Sequence, residues 1–227
     1  MNAFPRNCST VTQNRSRTCT RTWTSSVPFK ALRLLVHGLS LAWLGWVYYL
    51  GFSDQLGGDP VEAIIHYTGK GALHLLMLTL LVAPFSRWLK QPRLMRLRRP
   101  LGLYAALWAV AHVSNYLTFD LQFDWGLIAS ELVKRPYIVV GLTALVILLV
   151  LAVTSLPKLV KKLGRRWRTL HSGIYLALVL VCVHFWWSVK GFELEPLIYG
   201  LVALVLLSLK RRPLWRLAVR AQSASSG

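Results

Sequence analysis

Five long stretches of this chain, 31–50, 70–89, 100–119, 136–155 and 169–189, are dominated by apolar residues and contain no acid, and a shorter sixth follows at 194–210. Hydrocarbon about 30 Å thick is crossed by a helix of roughly 20 such residues. Within a bilayer, only helices and closed barrels satisfy their own backbone hydrogen bonds. Runs of this length and composition therefore predict an all-α protein, a six-helix transmembrane bundle over residues 31–210. Lys and Arg inside the runs stand near their ends, where long side chains reach the interface.

The chain is 227 residues long, 55% hydrophobic, and carries a formal charge of +19. In a soluble protein those figures conflict, because such a charge would point to nucleic acid. In a membrane protein they are separated along the chain. The segment up to Arg33, the loops 87–99 and 157–168, and the segment after Leu209 hold 23 of the 27 Lys and Arg and no acid. The alternate loops, with the start of the sixth run, hold all eight acids: Asp54, Asp59, Glu62, Asp120, Asp124, Glu131, Glu193 and Glu195. Cationic loops stay cytoplasmic, so both termini are expected to be cytoplasmic. The basic charge is then a topology signal that touches anionic lipid headgroups, and no nucleic-acid partner is needed.

Residues 1–30, rich in Ser, Thr, Asn and Arg, are expected to be a disordered basic tail. They lack the apolar core of a cleaved signal, and they also read as an upstream extension to a protein whose pattern begins near Phe29. Residues 211–227 are expected to be a short basic tail. Cys8, Cys19 and Cys182 form no disulfide framework, and no C-x-x-C-H motif for covalent haem attachment is present.

Six histidines remain to be explained. The third and fifth spans run outward, placing His112 and His184 at similar depth toward the outer face. His171 falls near the inner face, and about 20 Å separates it from His184 along a helix. His74 lies in the outer half of the second span, His37 near the inner end of the first, and His66 in an outer loop. Intramembrane imidazoles are functional candidates. A proton relay would want carboxylates among them, and these spans offer none. Two neutral imidazoles on neighbouring helices can hold a b-type haem by both axial positions, a state suited to electron transfer. The competing reading of His112 and His184 is a hydrogen bond between helices. For His171 it is an interfacial histidine, and His37 reads as structural. Ala105, Ala106, Ala109 and Ala111 would let a porphyrin approach the backbone. Trp108, Tyr116, Phe185, Trp186 and Trp187 could surround such a ring or form an interfacial belt. No convincing internal repeat, of the kind that marks transporters, is visible.

The runs "PLGLYAALWAVAHVSNY", "RRWRTLHSGIYLALVLVCVHFWWSVK" and "GDPVEAIIHYTGKGAL" resemble the MsrQ family. These are the haem-binding membrane subunits of bacterial periplasmic methionine-sulfoxide reductase systems, within the ferric-reductase-like transmembrane superfamily. The likeness covers residues 30–212. It implies haem b, FMN as a further cofactor, and electrons drawn from the quinone pool or a cytoplasmic flavin reductase. They would pass to MsrP, a periplasmic molybdopterin enzyme that reduces protein methionine sulfoxide. Carried over, the family's histidines fall on His112, His171 and His184. The wider superfamily often has an inner histidine fourteen positions before the outer one of the third span. Arg98 stands there instead. Arg98 and Arg99 suit a phosphate or anionic flavin better than iron, so flavin or quinone is expected near His171, Arg98 and Arg99.

No G-x-G-x-x-G follows a strand pattern and no P-loop exists, so this chain is expected not to oxidise NAD(P)H by itself. Nor is it expected to act on a sulfoxide. The alternatives are a stand-alone membrane ferric-chelate reductase or quinol-oxidising cytochrome, and a non-redox membrane protein whose histidines bridge helices.

Overall fold

The structure is a computed structural model that describes residues 29–53, 55–189 and 194–210. The expected tails, except for Phe29 and Lys30, lie outside the described residues, together with Cys8 and Cys19. Among the described residues all regular structure is helical: α1 (Phe29–Phe52), α2 (Pro60–Trp88), α3 (Arg98–Asn115), α4 (Trp125–Lys134), α5 (Pro136–Thr154), α6 (Pro157–Leu163), α7 (Arg166–His171), α8 (Gly173–Ser188) and α9 (Leu194–Lys210). A 3₁₀ turn, Pro92–Leu97, leads into α3, and a π-helical turn, Tyr116–Asp120, extends it. Lys30–Phe52, Pro60–Trp88, Pro136–Thr154 and Arg166–Ser188 are long and apolar enough to cross a membrane, and Leu194–Leu209 is a shorter apolar helix. The protein is an integral membrane protein, and all regular structure among its described residues is helical.

Local chemistry sets the ends of these elements. Asp59 caps α2, its carboxylate accepting from the backbone N–H of Val61 and Glu62 at 3.0 Å, with Pro60 at the first helical position. Helix α2 therefore starts ten residues before the apolar run at 70–89, and His66, expected in a loop, sits on its second turn. Apolar content marks where a helix enters hydrocarbon, whereas the cap marks where it begins. Asp124 caps α4 in the same way, at 2.8 and 3.1 Å. Gly164, at φ 51°, ends α6 in a conformation that side chains with a Cβ rarely adopt.

Helices α2 and α3 pack antiparallel, and so do α5 and α8. The two pairs repeat one another at an offset of 72 residues. Ala105 and Ala177 are each fully buried, Ala106 pairs with Leu178, and Leu76 with Leu148, all in the core. No repeat is legible in the sequence because the two halves share few identical residues; what they share is which positions face inward. Small residues at the crossings let backbones approach where hydrocarbon supplies no hydrophobic drive. Ala105 and Ala106 are spent on this packing. Trp108 is buried with its ring against Gly71, and Phe185 meets Tyr199. Trp186 and Trp187 are exposed, as a lipid-facing belt would be.

Candidate functional site: two facing histidines

His112 on α3 and His184 on α8 point at each other across the two helix pairs. Their ring centroids are 6.2 Å apart, with planes at 79°. Each ring is held from behind in the same manner. Nδ1 of His112 lies 2.9 Å from the carbonyl oxygen of Ile65, and Nδ1 of His184 lies 2.7 Å from that of Tyr137. A carbonyl has no proton to give, so both Nδ1 atoms are the donors. The tautomer is thereby set: Nε2 carries the lone pair and points away from the anchoring helix. Among the described hydrogen bonds neither Nε2 has a partner.

Room for the rings comes from glycine. A Cβ on Gly69 would stand 3.0 Å from Nδ1 of His112, and one on Gly141 only 2.7 Å from Nδ1 of His184. The anchoring carbonyls, the glycines and the histidines all obey the 72-residue offset. The sequence signal was present as a repeated spacing: the residue whose carbonyl accepts, glycine four residues on, histidine 43 residues after the glycine. It was missed because a carbonyl leaves no trace in residue identity.

The geometry fits a metal held between the rings. Two metal–imidazole bonds of about 2.0 Å each take up about 4 Å of the 6.2 Å, and the remainder matches the two half-rings. The backbone anchors are the outer-shell bonds that metal-bound histidines ordinarily keep.

The other histidines are engaged differently. Nδ1 of His37 meets the Tyr104 hydroxyl at 2.8 Å, and Nε2 of His74 meets that of Tyr199 at 2.7 Å, both bridging helices. His66 is half-buried, 3.7 Å from Glu62. His171 is not brought to the pair. It closes α7, stacks on Trp167 at 4.0 Å, and its Nε2 meets the Ser155 hydroxyl at 3.2 Å. Arg98 lies within electrostatic range of His171. An open cleft of about 670 Å³ adjoins this corner, lined by Thr154, Leu159, Lys162, Leu163, Arg165 and Arg166. Arg98 and Arg99 do not line it.

Residues 68–182 match the family model described as ferric reductase like transmembrane component. Three curated relatives each bear the name protein-methionine-sulfoxide reductase heme-binding subunit MsrQ. That of Klebsiella pneumoniae strain 342 is 42% identical over 189 residues, 82% of this chain and 95% of its own. That of Cronobacter sakazakii is 43% identical over 189 residues, 82% and 94% of the two chains. That of Salmonella arizonae is 44% identical over 185 residues, 80% and 92%.

The chain belongs to the MsrQ family. The matched family segment opens at Thr68, beside the α2 anchor of His112, and closes two residues before His184. In this MsrQ-family chain it contains α3 and α5 whole and the larger part of α2 and of α8.

Proposed function

We propose that this chain is the haem b electron-transfer subunit of a membrane-anchored methionine-sulfoxide reductase, with haem held by Nε2 of His112 and Nε2 of His184. The observation that carries the reading is the facing pair itself: two lone-pair nitrogens, set by backbone anchors, at a separation that leaves room for one metal. Haem iron held by these two imidazoles would supply one-electron transfer. The residues' own work is to orient the two nitrogens, hold their tautomers and exclude competing partners.

Six spans with both termini cytoplasmic complete the reading. The described acids gather at one end of the bundle, with Asp59, Glu62, Asp120, Asp124, Glu131 and Glu195, and the basic loops at the other. The histidine pair lies toward the acidic end, one turn from the π-helical segment. On this reading electrons leave on the periplasmic side of the inner membrane, to a soluble molybdopterin sulfoxide reductase, MsrP. Electrons arrive at the basic end from the quinone pool or a cytoplasmic flavin reductase. The corner of His171, Trp167 and Arg98, with Arg99 next in sequence, and the adjoining cleft with Lys162, Arg165 and Arg166 suit an anionic flavin such as FMN or a quinone headgroup.

The test is a reduced-minus-oxidised visible spectrum of detergent-purified protein beside His112→Ala and His184→Ala. A six-coordinate b-type spectrum that collapses in both variants is expected. A colourless wild type prepared with haem in excess, or a spectrum that survives both changes, would remove the reading.

A further inference from the structure

Behind His112 runs a buried polar chain that His184 lacks. The Tyr48 hydroxyl on α1 donates to Oδ1 of Asn115 at 2.7 Å. Nδ2 of Asn115 donates to Oγ1 of Thr68 at 3.4 Å. The Thr68 hydroxyl reaches two carbonyls one turn back on α2, Ile64 at 2.7 Å and Ile65 at 3.0 Å. The second of these is the oxygen that accepts from Nδ1 of His112. Thr68 is fully buried and Asn115 is 3% exposed, so water does not compete for these bonds. At the 72-residue offset Thr68 corresponds to Val140, which carries no hydroxyl to share the Tyr137 carbonyl. Asn115 corresponds to Trp187, which is exposed. The unshared bond is also the shorter, 2.7 against 2.9 Å.

We propose that Thr68, held by Asn115 and Tyr48, is a positioning residue that weakens the anchor of His112 and so makes the two histidines unequal electron donors. This rests on the reading that the pair holds haem. The physical link is short. An imidazole whose Nδ1–H donates to a strong acceptor gains anionic character and becomes a stronger donor through Nε2. A stronger donor favours the oxidised iron and lowers its potential. A hydroxyl on the same carbonyl draws on its lone pairs and reduces its pull on the Nδ1 proton. With Thr68 in place His112 is the weaker donor, His184 the stronger, and the potential is higher than two unshared anchors would set.

The test is spectroelectrochemical titration of the detergent-purified full chain, wild type beside Thr68→Val, Thr68→Ser and Val140→Thr. Thr68→Val copies the second half and lowers the midpoint potential, by up to a tenfold change in the redox equilibrium, which is about 59 mV for one electron. Thr68→Ser keeps the hydroxyl and stays at the wild-type value. Val140→Thr gives the second half its own hydroxyl and raises the potential. Thr68→Val and Val140→Thr proteins with an intact six-coordinate spectrum and unmoved potentials would overturn the proposal. Should Thr68→Val fail to hold haem, Val140→Thr decides alone, and a potential not raised overturns it. A wild type without a two-histidine spectrum is a different failure, that of the haem reading, and takes this inference with it.

Discussion

Glycine inside a helix ordinarily costs about 1 kcal/mol relative to alanine, yet Gly69 and Gly141 each stand where an alanine would touch a histidine ring. Gly141→Ala sets a Cβ 2.7 Å from Nδ1 of His184 against a ring already tied to Tyr137, so the ring must swing out. Gly141→Ala is expected to lose most of the haem absorbance. Gly69→Ala, at 3.0 Å from His112, should lose less, and Gly45→Ala, with nothing within 4 Å, none. Haem-to-protein ratios of the three purified variants check the order. Equal ratios in Gly141→Ala and Gly45→Ala would show that the close approach does not matter. The histidines themselves were legible as residues, because imidazole in hydrocarbon is costly and conspicuous. The glycines were not, since nothing in a single helix says which glycine faces a ring on another.

At the scale of elements, α9 shows how a short helix is held. Lys70 and Glu195 form an ion pair at 2.5 Å, and one turn along, His74 meets the Tyr199 hydroxyl. Residues 70 and 74 on α2 thus run beside 195 and 199 on α9. Tyr199 also packs edge-on against Phe185 of the core. Tyr199→Phe keeps the ring and removes the bond. Interhelical hydrogen bonds in membranes average about 0.6 kcal/mol and reach about 1.7, so a loss in that range is expected, read as a slightly lower melting temperature in detergent with an unchanged haem spectrum. Loss of the spectrum would instead tie His74 to the iron site. The apolar helices were legible to within a few residues where loops are tight, as at Pro136 and Thr154. The surface helix α4 and the early start of α2 were not, because caps and amphipathic turns lie outside the hydrocarbon signal.

At the scale of the whole molecule, the described residues divide into an acidic and a basic end, and the proposed topology follows from that division. Single cysteines introduced into a Cys-free chain at Gly58 and at Lys162 should differ: a membrane-impermeant thiol reagent added to intact spheroplasts labels the first and spares the second. The reverse pattern would invert the electron route. At the basic end, Arg98→Ala combined with Arg99→Ala is expected to reduce FMN content while haem is retained. Unchanged FMN would move the flavin to the Lys162, Arg165 and Arg166 cleft or remove it from this chain. Both measurements address the proposed conduit, in which each end would meet a different partner.

The sequence by itself determined that this chain is a helical membrane protein with a charge-marked direction and histidines at matching depth. Those properties follow from hydrocarbon thickness and desolvation, which act on residues in order along the chain. Which histidine faces which was decided only by tertiary structure. Rotation about a helix axis is set by packing, and one residue of drift turns a side chain by about 100°. The pairing of His112 with His184, the carbonyls behind them and the 72-residue symmetry depend on where α2 meets α3 and α5 meets α8. Thr68 is the clearest case: an unremarked threonine in the sequence, it becomes part of the site only because α2 brings it to the oxygen that holds His112.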